Sequence, residues 1–180
     1  WESYSPGYTT IIRDDEKGLF RMYYRATHTP PNFSGKRDTP RREVTCYAES
    51  TDGVNWTRPS LGLIEFEGSK DNNIMWDGVG SHNLSVVKDT NPDCPPDARY
   101  KAVGRGKPLA NEPSPYEHGL YVLKSADGIH WRPFRDKPVI TQGKFDSHNI
   151  MFWDSVLGSY RAYWRDSRRP GGSVPTGRDV

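Results

Sequence analysis

Cysteine is scarce in this chain. Cys46 and Cys94 are the only two among 180 residues, which is too few for a disulfide framework, and they can pair or stay free. No apolar run approaches the roughly 18 residues of a membrane-spanning helix, no signal peptide is recognisable, and no membrane partner is expected. Charge of one sign is also lacking: 25 Lys and Arg face 23 Asp and Glu, scattered among one another, so no basic face for nucleic acid stands out. With 5 His, no metal-type His/Cys/Asp spacing and no His-Glu-x-x-His, neither a metal site nor a cofactor is expected. Hydrophobic residues make up only 33% of the chain and the mean hydropathy is -0.87, which disfavours helical burial around one compact core.

What the chain does have is turns and aromatics. Its 17 Gly and 15 Pro lie in short clusters, and aromatic residues reach 12%, a mixture that suits many short strands. Setting Arg165 over Arg25 aligns residues 9–25 with 149–165 without a gap: Asp14 meets Asp154, Gly18 meets Gly158, Phe20 meets Tyr160, Arg21 meets Arg161 and Tyr23 meets Tyr163. A middle copy runs over 81–105 and is stretched by an insertion around 91–96. A further element, Ser-Thr-Asp-Gly-Val-Asn-Trp at 50–56, returns as Ser-Ala-Asp-Gly-Ile-His-Trp at 125–131. Each Asp-Gly pair suits a two-residue hairpin turn with positive φ. One unit therefore reads strand, short turn, strand ending in Arg, long loop, strand, Asp-Gly turn, and a last strand opening with Trp.

Four antiparallel strands per unit match the blade of a β-propeller. The expected fold is all-β: a propeller fragment with repeats at about 7–76, 77–143 and 144–180, two of them full four-stranded blades and the last a partial one. A closed ring needs about four to eight blades, so a longer product or an assembly of chains is expected. In such a blade the start of the first strand, the end of the second and the start of the third share one end, opposite the Asp-Gly turns. Long proline-bearing loops at 26–42, 106–119 and 166–177 belong to the same end, where binding usually resides. It also collects His82 with Asn83, His148 with Asn149, and the strand-end arginines Arg25, Arg105 and Arg165. Imidazole and carboxamide donate and accept hydrogen bonds as a sugar rim requires, and a planar guanidinium grips a carboxylate or phosphate in two places. Pairing between blades is the competing role for the arginines, and inter-blade packing for Tyr24, Trp153 and Trp164.

The doubled Ser-x-Asp-Gly-x-x-Trp hairpin and the polar motif opening each inner strand resemble the five-bladed propeller glycosidases of the invertase, levansucrase and arabinanase superfamily, the glycoside hydrolase family 32 and 43 type. The resemblance implies five blades when complete, a carbohydrate substrate and an extracellular or periplasmic location. It also implies catalytic acids at the openings of successive inner strands, positions that fall here on Pro6, Gly80 and Asp146. The Asn-Asp-Pro-Asn-Gly, Arg-Asp-Pro and Glu-Cys motifs of the invertase branch are absent. Glycoside hydrolysis uses two carboxyl groups flanking the bond. Asp146 is the first candidate, Glu2 the second, and Asp77 a weaker third. The expected function is a glycoside hydrolase-like propeller acting on oligo- or polysaccharide. The alternatives are a glycoside phosphorylase, with one acid and phosphate as nucleophile, and a non-catalytic carbohydrate-binding propeller.

Overall fold

Strand formation follows from alternation. The run Leu19–His28 places Arg21, Tyr23 and Arg25 on one side and Met22, Tyr24 and Ala26 on the other, so each side finds its own partner layer. The computed structural model describes residues 1–2, 7–28, 42–106 and 116–166. Strands β1 (Gly7–Asp14), β2 (Leu19–His28), β3 (Arg42–Ser50) and β4 (Ile74–Trp76) form a first antiparallel sheet in chain order. A second repeats that order with β5 (Ser85–Lys88), β6 (Tyr100–Arg105), β7 (Leu120–Ser125) and β8 (Arg132–Pro133). Strands β9 (Ile150–Asp154) and β10 (Ser159–Tyr163) pair as a third. No α-helix occurs among the described residues; one short 3-10 turn, Pro96–Ala98, lies between β5 and β6. The first strands of the sheets are neighbours, β1 against β5 and β5 against β9.

Between the first two sheets lies a core of Tyr23, Tyr47, Met75, Val79, Leu84, Val86, Tyr100, Tyr121, Leu123 and Trp131. Fully burying one such side chain contributes about 1.5–3 kcal/mol, so this layer holds the sheets together. The opposite side of the first sheet carries a second cluster, with Tyr24, Val44, Cys46, Phe66 and Ile74 beneath Trp1 and Trp56. Cys46 is buried there and Cys94 lies in the loop after β5; both thiols are free.

At the turn end a polar joint repeats. Asp14 is fully buried; it pairs with Arg21 (2.9 Å) on its own sheet and Lys88 (2.7 Å) on the next, and accepts the Tyr100 hydroxyl at 2.6 Å. One sheet further on, Asp89 pairs with Lys101 and accepts the Tyr160 hydroxyl at 2.6 Å. In the third sheet Asp154 pairs with Arg161 (3.0 Å). The face beyond is open. Tyr163 is 51% exposed although its repeat mate Tyr23 is 0% exposed, and Ile150 and Phe152 are exposed beside it.

Two sequence expectations are corrected. The Asp-Gly pairs do have positive φ at Gly53 (76°) and Gly128 (79°), but they sit in wider loops over 50–56 and 125–131. The aspartate side chain takes over the role of a tight turn: Asp52 Oδ1 accepts the N–H groups of Val54 and Asn55, and Ser50 Oγ those of Asp52 and Gly53. Ser125 and Asp127 do the same. In the first sheet the last strand does not open at Trp56, because only Thr57 bridges to Glu49 there and β4 arrives much later. In the second sheet β8 does follow Trp131 directly.

Candidate functional site

At the end opposite the joints, β2 and β6 finish, β3 starts, and the segments leading into β5 and β9 arrive. Glu43, near the start of β3, lies on the same side of its sheet as Thr45 and Tyr47 and therefore as Arg25. Its Oε2 is 2.8 Å from His82 Nδ1 and its Oε1 is 3.6 Å from Arg25 Nη1. The Arg25 guanidinium also covers the Tyr8 ring at 4.9 Å. That ring sits between the two repeated histidines, its centroid 5.5 Å from His82 and 5.8 Å from His148, and its hydroxyl donates to the Asp146 carbonyl at 2.9 Å. Asp146 itself pairs with Arg165, while its Oδ1 is buried without a hydrogen-bond partner. His148 is near Thr10 Oγ1 at 3.5 Å. Partial desolvation lowers its pKa below the ordinary histidine value although the side chain stays exposed, so near neutral pH it is an uncharged group that can both donate and accept.

Local backbone geometry fixes this arrangement. Tyr8 has φ 50° beside a register shift in β1, and Phe145 has φ 48° just before Asp146; left-handed backbone at bulky residues is costly and persists where surroundings enforce it. At Phe145 the enforcing groups are the asparagines. Asn83, fully buried, donates to the carbonyls of Phe145 and Ser147 at 2.6 Å each and accepts the Arg105 N–H at 2.9 Å. Asn149, also fully buried, donates to the same two carbonyls. The loop carrying Asp146 is thus clamped from two sheets. In the middle sheet Gly104 stands where the repeats have Tyr24 and Trp164, and a Cβ on it would meet the Gly80 Cα at 2.5 Å. That absence lets the segment before Asn83 lie against β6.

The structure thus brings together Arg25, His82, Arg105, Asp146, His148 and Arg165. It corrects the expectation for Asn83 and Asn149, which were to line substrate: both are wholly buried with amides bonded to backbone, so they brace the site from below. It also separates Glu2 from Asp146. Glu2 accepts the Tyr24 hydroxyl and pairs with Arg58, and so belongs to the far side of the first sheet, in a cavity of about 360 Å³ with Met22 and Trp56. Asp77 pairs with Arg42 at 2.6 Å. Of the repeat-equivalent acid positions, Pro6 lies outside the described residues, as does most of each long loop, and Gly80 is a backbone contact. Sequence reasoning missed Glu43 and Tyr8. Alternation from Tyr47 back along β3 was the signal for Glu43. Tyr8 had none, because its placement depends on an unusual φ. Among the described residues no three His, Cys, Asp or Glu side chains converge as metal ligands do.

No family model matches the sequence, and no curated protein matches it. Among solved structures it is similar to an N-acetylgalactosamine deacetylase from F. plautii in complex with blood group B trisaccharide, at 15% identity and a TM-score of 0.53. That likeness covers 92% of this chain and 41% of the deacetylase chain, and is a likeness of fold.

Proposed function

We propose that the three sheets are blades of a β-propeller and that their shared end is a carbohydrate site with glycoside hydrolase-like chemistry. Asp146 and Glu43 are its paired carboxylates, one acting as acid and the other as base or nucleophile. The observation that carries this reading is that the two acids come from different sheets and flank Tyr8, whose hydroxyl donates to the Asp146 main-chain carbonyl and whose ring is covered by Arg25, the partner of Glu43, while Arg165 pairs with the Asp146 carboxylate. An uncharged His148 and the His82 imidazole add groups suited to sugar hydroxyls. The adjacency of β1, β5 and β9 and the repeated joints support the propeller. A trisaccharide bound by the fold neighbour is in keeping with a carbohydrate partner.

Release of reducing ends from oligosaccharides, followed with and without inorganic phosphate, tests the chemistry. Hydrolysis without phosphate is expected, with a roughly hundredfold or larger loss in Asp146→Asn, as general acid/base groups contribute about 10²–10⁴-fold. Strict phosphate dependence would replace hydrolysis by phosphorolysis. Sugar binding without turnover under any condition would leave a non-catalytic binding propeller.

A further inference from the structure

Each sheet carries an arginine at the site, in the last part of its second strand or just after it: Arg25, Arg105 and Arg165. Two of them have a carboxylate of their own, Glu43 for Arg25 and Asp146 for Arg165. The middle one differs. Among the described residues no carboxylate lies within 4.0 Å of the Arg105 guanidinium, whose Nε, like that of Arg25, is buried without a hydrogen-bond partner. Burial pulls its pKa down, against the opposite pull of Asp146, Glu43 and Tyr8, which places it in the field of both acids without contact to either. A guanidinium keeps its charge at any physiological pH, so this cation is partly desolvated and, among the described residues, has no carboxylate in contact. Among the described residues the cluster holds three guanidiniums against two carboxylates, and one of those carboxylates also faces His82.

An incompletely paired buried charge is costly, and a ligand that supplies the missing anion gains what the protein lacks. We propose that Arg105 is the anchor for an oxyanion on the ligand: the carboxylate of a uronic acid, a sulfate ester, or phosphate. The fork of N–H groups matches two oxygens of any of these, whereas a neutral sugar hydroxyl leaves the charge uncompensated. Arg25 and Arg165 are then positioning residues for the two acids. This inference rests on the reading of this end as a carbohydrate site, and it narrows the substrate to an acidic saccharide, or the co-substrate to phosphate.

Heteronuclear NMR of the protein, following the arginine Nε–Hε signals during titration with glucuronic acid, sulfate, inorganic phosphate and neutral glucose, tests it. Arg105→Lys assigns the Arg105 signal. A saturable shift of that signal with at least one anion, and none with glucose, is the expected result. Arg105→Gln should weaken binding of that anion roughly tenfold to a hundredfold, the scale of a hydrogen bond to a charged group. Which anion binds distinguishes the sources: phosphate alone points to a co-substrate, glucuronate or sulfate to an acidic saccharide. An Arg105 signal unmoved by every anion, or equal affinity in Arg105→Gln, overturns the proposal. Should Arg105→Gln not fold, the wild-type titration decides alone. Neutral oligosaccharides in the same experiment report on the broader reading through His148 and Tyr8. If they shift those signals while no anion moves Arg105, the sugar site stands and the oxyanion anchor falls; if inorganic phosphate moves Arg105 while neither neutral oligosaccharides nor glucuronic acid move Arg105, His148 or Tyr8, the anchor stands and the sugar site falls.

Discussion

Removing a single hydroxyl, in Tyr100→Phe, isolates the joint between the first two sheets. Tyr100 is 4% exposed and donates to a carboxylate that is 0% exposed. Burial and the Asp14 charge push the Tyr100 pKa up to about 12, so the proton stays available for donation. A hydrogen bond to a charged group contributes about 1.5–3 kcal/mol, and the lower part of that range applies because Asp14 keeps Arg21 and Lys88 after the change. Asp14→Ala is the harsher perturbation. It strands two cations in or near the interface, for a loss of about 3–5 kcal/mol. Asp14→Ala already leaves the Tyr100 hydroxyl without its acceptor, so in the double variant the two losses should fall short of additivity by about 1–2 kcal/mol. Urea unfolding of the four proteins, read by Trp fluorescence, measures each value. Tyr160→Phe is the control: the same bond to Asp89 involves a ring that is 42% exposed, and its loss should be under about 1 kcal/mol. Additive effects of Tyr100→Phe and Asp14→Ala, or a Tyr100→Phe midpoint equal to wild type, would refute the joint as an energetic unit.

Three other outcomes follow from the same structure. Asn83→Ala removes three buried hydrogen bonds and should cost about 2–4 kcal/mol in denaturation, while also lowering kcat/KM because the Asp146 loop loses its clamp. Burial raises the Asp14 pKa, but Lys88, Tyr100 and Arg21 outweigh it and the net direction is down; Asp89 follows with Lys101 and Tyr160. Their stabilisation is therefore present above the unfolded-state value near pH 4 and is lost as pH falls through the lower folded-state values, so denaturation midpoints should drop below about pH 4, less steeply in Asp14→Asn. Gly128→Ala should destabilise by more than about 1 kcal/mol, since φ is 79° and the new Cβ would lie 2.8 Å from Tyr23 Oη; a melting curve checks it.

The all-β, antiparallel character of the fold was legible because its signals are local and repeat. Strand order, the strand-end arginines and the Asp14, Asp154 and Tyr160 equivalences all rest on alternation and on residues that recur at one register. Burial was not legible. Asn83 and Asn149 have the chemistry of sugar ligands, and only the close approach of the 145–147 backbone makes them braces. Glu2 was misplaced because nearness in sequence to the first inner strand says nothing about which side of the sheet a preceding residue joins; Tyr24 and Arg58 settle that, and both are distant in sequence. Glu43 was not legible because the family resemblance points to acids before the first strand of each repeat, whereas β3 opens at the same end of the sheet.

The most direct test of the site is a comparison of Glu43→Gln with Glu2→Gln. In kcat/KM on an oligosaccharide the protein turns over, with circular dichroism to confirm folding, the account predicts a loss of roughly a hundredfold or more for Glu43→Gln and a value within about twofold of wild type for Glu2→Gln. A large loss in Glu2→Gln with an active Glu43→Gln would contradict it and move the catalytic carboxylate to the far side of the first sheet.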